Sequence, residues 1–266
     1  MLYKYKTYLK NTQYAENTKK QYYTTVKQYF KEFNSISINN LNSYKLWLID
    51  NYQPRTVNAK LQGINSYLTF IGKPELKLQF VRIQQKPFLE KVISEADYKY
   101  FKRRLKKDNE FYYFVVWFLT ATGARASELV KIKAEHVITG HMDVYTKKGK
   151  LRRIYIPQKL QKEALAWLDR NNITSGPIFL NKRKNTITTR GIASSLKKYA
   201  IDYGLDPTVI YPHSFRHRFA KNFIEKNNDI AFLADLMGHE SIETTRIYLR
   251  KSEAEQRDIV DKVVTW

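Results

Sequence analysis

Two stretches late in the chain decide its reading: Pro212-His213-Ser214-Phe215-Arg216-His217 and Leu236-Met237-Gly238-His239-Glu240-Ser241-Ile242-Glu243-Thr244-Thr245-Arg246-Ile247-Tyr248. Apolar residues at three- and four-residue steps predict helices over about 213–227, 230–237 and 241–250. His213 and Arg216 stand three apart near a helix start and so share a face. His239 comes 23 residues after Arg216, and Tyr248 nine after that. Upstream, Arg125 follows Gly123, and Lys148 stands in a short basic turn. Two Arg, two His, one Lys and one Tyr suit phosphoryl transfer on a phosphodiester: cations hold the non-bridging oxygens, a tyrosine oxygen attacks, and a group able to be neutral moves protons.

Working outward, the apolar period changes once. Met142, Val144 and Thr146, then Leu151, Ile154 and Ile156, predict two strands joined across Lys147-Lys148-Gly149-Lys150. Before them, Ser94 is an expected N-cap for a helix carrying Tyr98, Phe101 and Leu105. An apolar helix over Phe111–Thr122 ends at Gly123, and a short one holds Glu128, Leu129 and Ile132. After Pro157, helices are expected over about 158–171 and 188–203, with a last one from Glu253.

Toward the N-terminus, Tyr22, Val26, Tyr29, Phe30 and Phe33 define a helix starting near Asn17 or Thr18. A second fits 40–50 with Tyr44, Trp47 and Leu48 inward. A third follows Pro54, with Val57, Leu61, Ile64, Leu68 and Ile71. From Gly72 to Phe88 the pattern lapses between Pro74 and Pro87. The fold class is therefore mainly α with a small β-hairpin: a helical domain over 1–72, a linker over 73–88, and a second domain over 89–266 with a tail helix over 253–266.

Composition narrows the function. The 266 residues hold 47 Lys plus Arg against 25 Asp plus Glu, a net charge of +22, which implies a polyanionic partner, nucleic acid first. Residues 1–88 carry net +10 and the remainder net +12, so two basic domains could close on a duplex as a clamp. There is no Cys, which removes disulfides, cysteine-based zinc and iron–sulfur sites and thiol nucleophiles. No metal is expected: His213 and His217 are four apart, but no Glu follows His213 and Arg216 would repel a cation. No membrane span or export signal is evident, and a cytoplasmic, nucleoid-associated protein is expected.

Four blocks give the sequence a family likeness. Thr122-Gly123-Ala124-Arg125-Ala126-Ser127-Glu128-Leu129, Lys147-Lys148-Gly149-Lys150 through Ile156-Pro157, His213-Ser214-Phe215-Arg216-His217 and Leu236 through Tyr248 together resemble the tyrosine recombinases. These are the phage integrases and Xer-like site-specific recombinases, mechanistically related to type IB topoisomerases. Ala124 and Phe215 depart from the Leu usual at each position.

The resemblance implies that residues 1–72 bind a core DNA site. It further implies that Tyr248 attacks the scissile phosphate, forming a 3′-phosphotyrosine and freeing a 5′-hydroxyl, with no cofactor. Arg125 and Arg216 would clamp the phosphate, Lys148 (or Lys147) would protonate the leaving oxygen, and His239 would hydrogen-bond the phosphate. His213 would assist proton movement at Tyr248, and Glu128 would orient Arg125 or its neighbours. Strand exchange would need a homotetramer on two inverted-repeat sites, assembled from monomers or dimers, with Ile259, Val263 and Trp266 on a tail that docks within its own protomer or on a neighbour. The alternatives are a non-cutting architectural DNA-binding protein and a topoisomerase-like relaxing enzyme.

Overall fold

The computed structural model describes residues 1–83, 92–145, 151–249, 253–264 and 266, with the backbone alone for 253–255 and 259. The chain forms two compact units, Met1–Gln85 and Lys86–Trp266.

The first unit contains α1 (Leu2–Lys10), α2 (Glu16–Glu32), α3 (Ile38–Asn51) and α4 (Pro54–Phe70). Its core forms where apolar positions recur every turn: Val26 and Tyr29 of α2, Leu41, Tyr44 and Leu48 of α3, and Leu61, Ile64 and Leu68 of α4. Ser37 caps α3 by accepting from the Asn40 amide at 3.2 Å. Helix α1 was not foreseen, because Tyr5 and Leu9 are its only buried residues, too few to set a period. Trp47, expected inward, is 37% exposed and lies flat on Tyr44, with ring centroids 5.9 Å apart.

After α4 the chain makes one 3₁₀ turn at Pro74–Leu76 and continues extended. This part of the expected linker is fastened to α4. Asn65 gives its amide N–H to Leu78 O (2.9 Å) and accepts from Leu78 N (2.8 Å), and Asn58 does the same at Val81 at 2.9 and 2.8 Å. Each side-chain amide satisfies both backbone groups, as a neighbouring strand would.

The second unit is built around α6 (Glu110–Thr122), whose residues Tyr113 to Leu119 are all buried. It follows α5 (Glu95–Asp108), whose start is capped by Ser94 Oγ accepting from Asp97 N at 3.0 Å. Then come α7 (Ala126–Leu129), α8 (Ala134–Thr139), the strands β1 (His141–Tyr145) and β2 (Leu151–Tyr155), α9 (Gln158–Arg170) and α10 (Thr189–Asp202). The strands pair antiparallel, with Met142 opposite Ile154 and Val144 opposite Arg152. The turn between them, with Lys147, Lys148 and Lys150, lies outside the described residues.

Last come α11 (Pro212–Lys226), α12 (Ile230–Met237), α13 (Glu243–Arg246), a 3₁₀ turn at Ile247–Leu249 and α14 (Glu253–Val263). Phe215 locks α11 into the main core, stacked on Phe101 with centroids 6.0 Å apart. A satellite cluster joins Ala220, Ile224, Leu233 and Met237 to Tyr248. Val260, Val263 and Trp266 of the tail are exposed, and the side chain of Ile259 lies outside the described residues. Among the described residues no helix is long and apolar enough to cross a membrane.

Candidate active site

The site is assembled on helix ends. An α-helix leaves its last carbonyls without intrahelical partners and carries partial negative charge there. Helix α12 stops at Gly238, whose φ is +60°, and three consecutive carbonyls at this end each receive an arginine. Arg152 Nη1 donates to Leu236 O (2.7 Å), Arg216 Nη2 to Met237 O (2.5 Å), and Arg125 Nη2 to Gly238 O (3.0 Å). The other end of the Arg216 fork donates to Gly123 O at 2.5 Å, just beyond α6. Arg216 is thus held between two helix C-termini.

Glu128 links the other two cations. Its carboxylate accepts from Arg125 N (2.7 Å) and Arg125 Nη1 (3.0 Å), and from Arg152 Nη2 (2.6 Å). Burial alone would raise the Glu128 pKa; the charges of Arg152 and Arg125 and the Arg125 amide outweigh it, and the net shift is downward. The expectation that Glu128 orients Arg125 or its neighbours matches this geometry. Arg152 was missed by sequence reasoning. The period of β2 held the signal: Arg152 and Ile154 are buried while Leu151, Arg153 and Tyr155 face out, so a charged residue occupies an inward register.

Tyr248 is 4% exposed and packs in the satellite cluster between α11 and α12. Its hydroxyl lies 2.9 Å from His217 Nδ1, a residue not among the expected site residues. His213 packs against the His217 ring, edge to face with centroids 4.3 Å apart, and is itself exposed. His239 lies near-parallel to the Tyr248 ring with centroids 6.3 Å apart; its Nδ1 is 2.7 Å from Thr245 Oγ1, and its Nε2 is 3.4 Å from Arg216 Nη2. The structure therefore brings Arg125, Arg216, His213, His239 and Tyr248 together. Lys148 lies outside the described residues.

The electrostatics follow from burial beside cations. Burial pushes the Tyr248 hydroxyl up to about 12, against the opposing pull of Arg216 and Arg125. Burial, then Arg216 and Arg125, bring His239 down to about 4; burial, then His213 and Arg216, bring His217 to about 3. Both rings are neutral at pH 7. Burial and the like charges of Arg125 and Arg152 lower Arg216 to about 9, which leaves it a cation. Its buried Nε has no hydrogen-bond partner among the described residues. A cleft of about 470 Å³ opens beside Arg125 and His239, with Lys131 and Ser127 also on its wall. Among the described residues no group of His, Asp and Glu could hold a metal.

A buried tyrosine hydroxyl beside guanidinium forks fixed on helix ends, with neutral imidazoles around it, has the groups that phosphoryl transfer through a tyrosine requires. The chain belongs to the phage integrase family, whose model matches residues 89–255, and is a tyrosine recombinase, an enzyme that cleaves and rejoins DNA. It is 28% identical to the tyrosine recombinase XerA of Pyrococcus furiosus over 269 residues, covering 98% of this chain and 93% of the relative. It is also 28% identical to XerD of Rickettsia conorii over 248 residues, covering 80% of this chain and 79% of that one. Among solved structures, the fold matches the Tn1549 transposon integrase in complex with transposon right end DNA. The TM-score is 0.74 at 15% identity, over 99% of both chains.

Proposed function

We propose that this recombinase acts on double-stranded DNA carrying an inverted-repeat core site, and that Tyr248 is its nucleophile. Tyr248 attacks the scissile phosphate while Arg125 and Arg216 hold its non-bridging oxygens. The observation that carries this reading is the convergence of both guanidiniums on the end of α12 beside the buried Tyr248. Planar forks pinned in advance do not have to reorganise as charge builds on the phosphate. His239, steadied by Thr245, hydrogen-bonds the same phosphate.

Lys148 is the proposed acid for the departing 5′-oxygen, an assignment that rests on the family pattern. The covalent 3′-phosphotyrosine conserves the phosphodiester bond energy, so a 5′-hydroxyl from a second duplex can attack it and complete exchange. Four protomers on two sites, with residues 1–72 reading the core site, accommodate that exchange. A cytoplasmic location beside the chromosome follows from the substrate.

The test is to mix wild type and Tyr248→Phe with fragments of the native genome, stop with detergent, and sequence the protein-linked ends. Adducts from the wild type alone, at one recurring inverted repeat, are the expected result. Adducts persisting in Tyr248→Phe would remove the nucleophile assignment. Scattered adducts would indicate a relaxing enzyme, and none in either sample a non-cutting DNA-binding protein.

A further inference from the structure

A tyrosine hydroxyl that becomes a nucleophile must give up its proton, and the surroundings of Tyr248 oppose its loss to bulk water. The side chain is 4% exposed, and burial holds its hydroxyl up to about 12. An acceptor has to be within hydrogen-bond reach of Oη.

We propose that His217 takes the Tyr248 proton on its Nδ1 during strand cleavage and returns it during rejoining; this rests on the recombinase reading above. The 2.9 Å contact between Oη and Nδ1 is the geometry a proton transfer requires. A buried hydroxyl needs an acceptor for its hydrogen, so Tyr248 donates, Nδ1 carries the lone pair, and the ring proton sits on Nε2.

The neighbouring histidines are placed for other work. The contact of His213 is with the ring of His217. His239 is engaged by Thr245 and lies against Arg216. His217 and Arg216 are consecutive in α11, so the helix that fixes a phosphate clamp also fixes the base.

The step balances. The Oη–P bond forms as the P–O5′ bond breaks; the Tyr248 proton moves to Nδ1, leaving an imidazolium, and the departing O5′ takes its proton from the acid assigned to Lys148. In rejoining, the incoming 5′-hydroxyl gives its proton back to that group, O5′–P forms, P–Oη breaks, and Nδ1 returns its proton to Oη. Before substrate arrives, burial first, and then the neighbouring His213 and the positive charge of Arg216, disfavour a charged His217, which keeps the lone pair free. A bound phosphodiester brings negative charge beside Arg216 and offsets that repulsion, so the imidazolium becomes more favourable when it is needed.

The experiment is single-turnover cleavage of a nicked duplex bearing the site recovered by adduct mapping, using the full chain. In His217→Asn the amide reaches toward the Nδ1 position and can accept the hydrogen bond but not the proton. Duplex affinity and melting temperature should match the wild type, while cleavage slows roughly 10²-fold or more. Replacing Tyr248 by a ring-fluorinated tyrosine, whose phenol ionises more readily, should restore about tenfold or more of the Asn variant's rate and change the wild-type rate little. Wild-type cleavage by His217→Asn, or slow cleavage indifferent to the acidity of the phenol, would overturn the proposal. If the Asn variant melts early, His217→Ala, which leaves no acceptor at the Nδ1 position, carries the comparison of cleavage rate with phenol acidity. No adduct from the wild type would instead remove the recombinase reading, and this proposal with it.

Discussion

Arg216 is 1% exposed, and a charge so deeply buried persists only where its hydrogen bonds are organised for it. Two go to carbonyls at Gly123 and Met237, which fix the plane of the guanidinium before any substrate arrives. A lysine in its place is a point charge without a fork, unable to span both carbonyls and still face a phosphate. Arg216→Lys is therefore expected to keep DNA binding within a few-fold while lowering adduct formation roughly 10²–10³-fold, the usual cost of losing one transition-state donor. Quench-flow cleavage beside a filter-binding titration would measure both, and equal losses in the two would mean that Arg216 serves binding alone.

At the scale of the element, the C-terminal end of α12 organises the site, and Gly238 permits it. A Cβ at this position would lie 2.5 Å from Arg152 Cδ, and Arg152 cannot swing away because it is tied to Glu128 and Leu236 O. Left-handed strain alone costs an alanine about 1–2 kcal/mol. Gly204→Ala, at φ +69° with nothing within 4 Å of the added carbon, should show that strain and nothing else. Gly238→Ala is expected to lose more stability than Gly204→Ala and, in addition, most of its cleavage, because Arg152 and the three carbonyls shift together. Urea melts and adduct yields on both variants give the comparison, and equal activity in the two would count against the carbonyl arrangement.

Much of this element was legible in the sequence. The apolar run over 230–237 and the glycine after it fix where α12 begins and ends. The 3.6-residue period likewise outlined α4, and a continuous apolar run ending at Gly123 outlined α6. What sequence could not show is which side chains meet across elements. Arg152 and Gly238 are far apart along the chain, and His217 stood out only as a spacing unsuited to zinc. His213 and His217 differ in burial and partner although they lie one turn apart, because the 3₁₀ turn carrying Tyr248 packs over one of them. Helix α8 was hidden for a different reason: six residues with Ala134 and Val137 buried are too short to establish a period.

For the whole molecule the governing quantity is charge. A net +22, divided between net +10 over residues 1–88 and net +12 over the rest, puts excess positive charge on both parts of the chain. The active-site arginines are engaged by carbonyls and by Glu128, so nonspecific affinity has to come chiefly from the lysines and arginines on the surface. Each phosphate neutralised releases condensed counterions, and the logarithm of the binding constant falls with the logarithm of salt at a slope of about −0.9 per contact. With about 6–10 contacts, affinity should drop roughly 10³–10⁵-fold between 50 and 200 mM salt. Arg216→Lys, which keeps the positive charge, should shift this line without changing its slope, whereas neutralising two or three exposed lysines should flatten it by about one unit for each lysine that touched a phosphate. Titrations of wild type and both variants across that salt range decide the matter. A wild-type slope near zero would mean that the basic surface does not face the DNA.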